Sequence, residues 1–175
     1  MDAALVMAQV VRAQLSAGHL EAPASCVQRR LTEVTFDDDR KRTGRGNASS
    51  ASPPPLYFAW KAPAKAPGEW PKDALDPKAA KLLSKAADEI TRAPRQPPLI
   101  GVIVKDWLPP RLQFCPENGP PRPNFFFSAP AVQRDLGFVA AGYGCGGLCG
   151  NGVLYALRRT RSGWKVVGVA DTWVS

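Results

Sequence analysis

The feature that most constrains this chain lies in its last third. Two runs of strand-forming residues, Phe138 to Tyr143 and Val153 to Arg159, flank the segment G-Y-G-C-G-G-L-C-G-N-G, residues Gly142 to Gly152. Val153, Tyr155 and Leu157 alternate with Leu154, Ala156 and Arg158, the two-residue period of a sheet with distinct faces. Six of the eleven positions in the intervening segment are glycine. Glycine loses more backbone freedom on folding than any other residue, so this stretch reads as a hairpin tip too flexible to be strand itself. A third run, Trp164 to Val174, follows the turn residues Arg161-Ser162-Gly163. Gly168 within it is a candidate bulge, which would bring Trp164 and Trp173, of opposite parity, onto one face. The expectation is a C-terminal antiparallel β unit over residues 125–175, built of two hairpins.

Cys145 and Cys149 lie in the glycine-rich tip. With Gly146-Gly147-Leu148 as the loop, the two cysteines oppose each other. Opposed residues hold their Cβ atoms about 4.5–5.5 Å apart, whereas a disulfide requires about 3.5–4.5 Å. A bond is reachable but tight, and a pair of free thiols is equally compatible with the spacing. Closing so short a loop would contribute roughly 2 kcal/mol. Cys26 and Cys115 are the weaker candidate pair; they either bond to each other or are simply buried.

Upstream, proline sets the style of the chain. Its 18 prolines in 175 residues are about twice the usual ~5%, and proline is excluded from helix interiors and central strands. Regular elements must therefore be short and separated by irregular connections. Asp2 to Leu15 reads as a helix, with Val6, Met7, Val10, Val11 and Leu15 on its apolar side and Gln9, Arg12 and Gln14 elsewhere. Val27 to Phe36 and Leu56 to Trp60 read as strands. Residues 43–55 are low-complexity and read as a flexible loop.

The best helix signal follows. Asp76 suits an N-cap and Pro77 the first helical position. Ala79, Leu82, Leu83, Ala86, Ala87 and Ile90 form an apolar stripe, while Lys85/Glu89 and Asp88/Arg92 stand at i,i+4 spacing. Leu82, Leu83, Ala86 and Ile90 are expected in the core. Leu99 to Lys105 reads as a strand buried on both faces or nearly so. Together these make one α+β domain over residues 1–175. Its sheet is mainly antiparallel, with an N-terminal helix and one amphipathic helix packed on it.

Net charge is +8, a balance that permits binding to nucleic acid, anionic lipid or cell-envelope polymers without choosing among them. No run approaches the ~18 apolar residues of a membrane span. Met1 to Leu20 carries Asp2, Gln9, Arg12 and Gln14 and lacks the pattern of a signal peptide. The chain is therefore cytoplasmic or begins after a removed leader, and closely spaced cysteines tilt this toward an oxidising, periplasmic or secreted setting.

Motifs with chemical content are few. Gly142-x-Gly144-x-x-Gly147 matches a dinucleotide fingerprint but precedes a strand, where the fingerprint requires a helix. Ser162-x-x-Lys165 matches a nucleophile motif but straddles a hairpin turn. Cys145 and Cys149 with Cys26, Cys115 or His19 do not have zinc spacing. His19, the one histidine, has no apparent carboxylate or nucleophile to work with. No catalytic residue, cofactor or metal is assigned.

The C-terminal third resembles a family of uncharacterised bacterial proteins, often exported. The likeness rests on Phe127-Ser128, Cys145 to Gly150 in the pattern C-G-x-L-C-G, Gly163-Trp164-Lys165-Val166, and Trp173-Val174-Ser175. It implies export and no known activity. Two functional expectations follow from the whole. The first is a non-enzymatic protein that binds a protein or an anionic envelope polymer. The second is a hydrolase or transferase assembled from Asp106, Asp135 or Asp171 with Tyr143 or Tyr155. A nucleic-acid or other polyanion binder using the excess charge ranks behind both.

Overall fold

The computed structural model describes residues 2–16, 26–32, 58–65, 69, 71–92, 102–108, 110, 112–117, 123–146 and 149–174. Among them are two α-helices, α1 (Asp2–Ser16) and α2 (Pro77–Arg92), and a 3-10 turn at Lys105–Trp107. The strands are β1 (Cys26–Val27), β2 (Trp60–Lys61), β3 (Asn124–Phe127), β4 (Ala131–Gln133), β5 (Leu136–Gly146), β6 (Cys149–Thr160) and β7 (Gly163–Val174). They form one seven-stranded sheet in the order β1-β3-β5-β6-β7-β2, with β4 pairing β5 beyond the end of β3. Every pairing is antiparallel except β1 with β3. The fold is α+β.

Alternation along the strands gives the sheet two apolar faces, and one helix covers each. On one face, Val6, Met7, Val10 and Val11 of α1 pack with Phe125, Phe127, Val139, Tyr155, Leu157 and Trp164. On the other, Leu83 and Ala87 of α2 pack with Trp60, Phe138, Leu154, Ala156 and Ala170. The start of α2 follows from its cap, since one Asp76 Oδ1 accepts hydrogen bonds from the backbone N–H groups of Lys78 (3.0 Å) and Ala79 (3.1 Å). The i,i+4 pair Lys85–Glu89 is present at 3.8 Å.

Leu82 departs from the expected stripe: it is 57% exposed, Leu83 and Ala87 are buried, and Ala86 and Ile90 are half-buried. Successive helical residues are turned by about 100°, so with Leu83 centred on the sheet, Leu82 falls on the flank. Gln14 departs in the opposite sense and is fully buried. It stands four residues after Val10 and three after Val11, on the face those residues bury.

The described parts of the glycine-rich segment, up to Gly146 and from Cys149, are strand, which corrects their reading as a flexible tip. Gly142 pairs with Gly152, Gly144 with Gly150 and Gly146 with Cys149. Part of the reason is close approach: a Cβ on Gly142 would collide with the ring of Phe126, so the strand runs there only because the residue lacks one. The register shifts between Gly144 and Gly146. Cys145 is therefore the bulged residue, not one that faces Cys149 squarely.

In β7 the pairing slips between Ala156↔Gly168 and Leu157↔Val166, a bulge at Val167 beside the expected glycine. A second slip leaves Thr172 unpaired and cancels the parity argument for Trp164 and Trp173.

The other upstream strands are shorter than their composition suggested. Among the described residues of Val27 to Phe36, which end at Thr32, strand is confined to Cys26–Val27, followed by single bridges at Arg30 and Thr32. Of Leu99 to Lys105, residues 102–105 lie among the described residues, and they do not form a doubly buried strand. Val102 and Val104 are exposed, Ile103 alone is buried, and Lys105 opens the 3-10 turn. β-branched residues favour extended backbone, but a strand also needs a partner along its length, and here only Val102 has one, Arg30. Residues 33–57, the low-complexity segment and His19 lie outside the described residues.

Candidate functional site

The four cysteines come together in two pairs, Cys26 with Cys115 and Cys145 with Cys149, each with its sulfurs at bonding distance. Their Cα atoms are 4.9 Å and 5.3 Å apart, inside the range a disulfide spans. The first pair lies at the edge of the sheet. Val27 donates its N–H to the Gln113 carbonyl, and Cys115 donates to the Val27 carbonyl, both at 3.0 Å. A two-residue strand joined to the sheet by so few hydrogen bonds gains a tether to the segment beside it. The second pair closes the far end of the β5–β6 hairpin, where Cys149 is exposed.

The carboxylates and phenols considered for catalysis do not meet in a shared pocket. Asp106 is exposed in the 3-10 turn. Asp171, on β7, pairs with Lys61 on the adjacent β2 at 2.5 Å. Asp135 sits in the β4–β5 turn, 3.7 Å from Arg158 Nε. Tyr143 packs on Phe125, with ring centroids 5.1 Å apart. Tyr155 is buried under α1, where its hydroxyl donates to Gln14 Oε1 at 2.5 Å. Burial raises the Tyr155 phenol well above its ordinary value, so it stays protonated and serves as a hydrogen-bond donor inside the core. Among the described residues no group of three or more His, Cys, Asp or Glu is placed to hold a metal ion.

Residues of the C-terminal motifs have structural duties. Phe127 is buried in the core. Ser128, also buried, accepts the Ala140 N–H at 2.8 Å through its hydroxyl, which donates to the Ala129 carbonyl at 3.1 Å. It thereby turns the chain from β3 toward β4. Gly163 has φ +110, open to glycine and strained for other residues. It ends the β6–β7 turn, where Thr160 Oγ1 donates to its carbonyl at 2.7 Å. Trp164 then enters the core.

One concavity lies between α2 and the β4–β5 turn. It is open, about 250 Å³ in volume, and lined by Leu82, Lys85, Glu89, Arg134, Asp135 and Arg158 among others. Arg134 holds φ +56, in the left-handed region that non-glycine residues seldom occupy. Composition gave no sign of this groove, because it is formed by a helix and a turn some fifty residues apart in the chain. Comparison with known proteins found no matching family model, no matching curated protein and no matching solved structure. No helix among the described residues is long and apolar enough to cross a membrane.

Proposed function

We propose that this chain is a non-catalytic binding module that works in an oxidising compartment and engages a protein or an anionic component of a cell envelope. The observation that carries this reading is the arrangement of the cysteines, with all four drawn into two pairs at bonding distance. Disulfides persist in exported proteins and are rare where glutathione and thioredoxin keep thiols reduced. The terminal resemblance to an often-exported bacterial family points the same way. Asp106, Asp135 and Asp171 stand on different elements, two of them in ion pairs, and this arrangement favours binding over a reaction that needs two convergent carboxylates. The test is a thiol count on protein isolated from its natural source under alkylating conditions. Under this reading none of the four cysteines takes up the alkylating reagent, and alkylation of all four would place the chain in a reducing compartment and remove the reading's support.

A further inference from the structure

The end of the sheet that carries the β4–β5 and β6–β7 turns concentrates both charge and exposed apolar surface. In register across three strands stand Leu136, Arg158 and Lys165. Arg158 and Lys165 thus face each other directly across β6 and β7, a like-charge pairing that works against the sheet. Arg134 and Arg161 occupy the two turns, and Arg159 lies on the opposite face in register with Trp164. All five cations are exposed, and Asp135 is the one carboxylate in either turn. Two local costs, the φ of Arg134 and the Arg158/Lys165 pair, therefore fall at one place and keep positive charge there.

Two of the exposed large apolar side chains lie beside the β4–β5 turn. Leu82 (57% exposed) lines the groove with Arg134 and Arg158. Val132 (37%) is in register with Gly137 on β5. Cations interspersed with aliphatic side chains match the headgroup boundary of an anionic bilayer, where charge attracts and short apolar groups insert. Single-stranded nucleic acid is met by aromatic stacking platforms; at this end Trp164, the aromatic beside the β6–β7 turn, is buried.

We infer that this sheet end is a docking surface for a membrane bearing anionic phospholipid, with Arg134, Arg158, Arg161 and Lys165 at the headgroup phosphates and Leu82 and Val132 entering between them. The inference rests on reading the chain as a binding module and names its partner. Flotation with phosphatidylcholine vesicles, with and without phosphatidylglycerol, tests it. Binding is expected only to the anionic vesicles and is weakened in about 1 M salt, where the screening length is about 3 Å.

Arg134→Gly relaxes the turn, so it folds at least as well as the parent, yet it is expected to lower partitioning roughly fivefold, the contribution of one basic residue near such a surface. Leu82→Ser lowers partitioning too, whereas Lys72→Ala, an equal loss of charge on the exposed segment before α2, leaves it unchanged. Absence of vesicle binding at low salt, indifference to Leu82→Ser, an equal loss with Lys72→Ala, or tighter binding to duplex DNA than to vesicles would each overturn the proposal. Any of these results with the cysteines still paired removes this surface while leaving the binding-module reading in place; four free thiols would instead strike that reading itself.

Discussion

Gln14 and Tyr155 meet across the α1–sheet interface, both buried and joined by a 2.5 Å hydrogen bond. Tyr155→Phe leaves Gln14 Oε1 without its donor in the core, and a buried unsatisfied acceptor costs about 1–3 kcal/mol. Unfolding of the variant in urea at neutral pH should show a loss of that size. The pH dependence has a definite sign. The folded chain holds the phenolic proton more tightly than the unfolded chain does, because burial raises its pKa above the ordinary 10.0. Stability from this group is therefore full below about pH 10 and is lost as pH rises beyond it, so Tyr155→Phe should fall less steeply than the parent in that range. Two neighbouring glycines give a second contrast at this scale. A Cβ at Gly142 collides with Phe126, whereas at Gly144 it meets nothing within 4 Å. Gly142→Ala should cost about 1–3 kcal/mol, and Gly144→Ala should stay within about 0.5 kcal/mol of the parent, as read from paired denaturation curves.

Among the elements, α2 separates what pattern can and cannot tell. Its limits and cap are written in Asp76, Pro77 and the apolar spacing, and they are found as expected. Which of two adjacent leucines enters the core depends on how the helix is rolled on the sheet, and no local signal carries that. Leu83→Ala should cost about 2–5 kcal/mol, and Leu82→Ala no more than about 0.5 kcal/mol; similar costs at both positions would mean that Leu82 is covered. The long strands β5, β6 and β7 were legible because alternation is a local property of the chain. Among the described residues β1 is shorter than the strand expected there, and residues 102–105 form no strand, because β propensity describes a residue, while a strand also requires a neighbour. Gln14 was misplaced through its polarity, although its spacing from Val10 and Val11 already set it on the buried face.

For the molecule as a whole, the two cysteine pairs act over very different lengths of chain. Cys26 and Cys115 are 89 residues apart in sequence, Cys145 and Cys149 only 4. In the chain-entropy picture the long loop contributes about 4.6 kcal/mol and the short one about 2 kcal/mol. Replacing Cys26 and Cys115 by serine should therefore lower the unfolding midpoint more than replacing Cys145 and Cys149. The α+β class and the terminal hairpins could be read from the sequence, whereas this long-range pairing stood only as the weaker candidate, since four cysteines permit three connectivities and spacing does not choose among them. The groove and the basic sheet end were hidden for a related reason, being assembled from turns that only the strand register aligns.

The most direct measurement is a tryptic map of the unreduced protein. No Lys or Arg lies between Asp135 and Leu157, so Cys145 and Cys149 fall in one peptide. The pairing seen in the structure requires that this peptide carry an internal bond and that a second species join the Cys26 peptide to the Cys115 peptide. A crossed linkage between Cys26 or Cys115 and the Cys145–Cys149 peptide, or four unlinked cysteines, would contradict it.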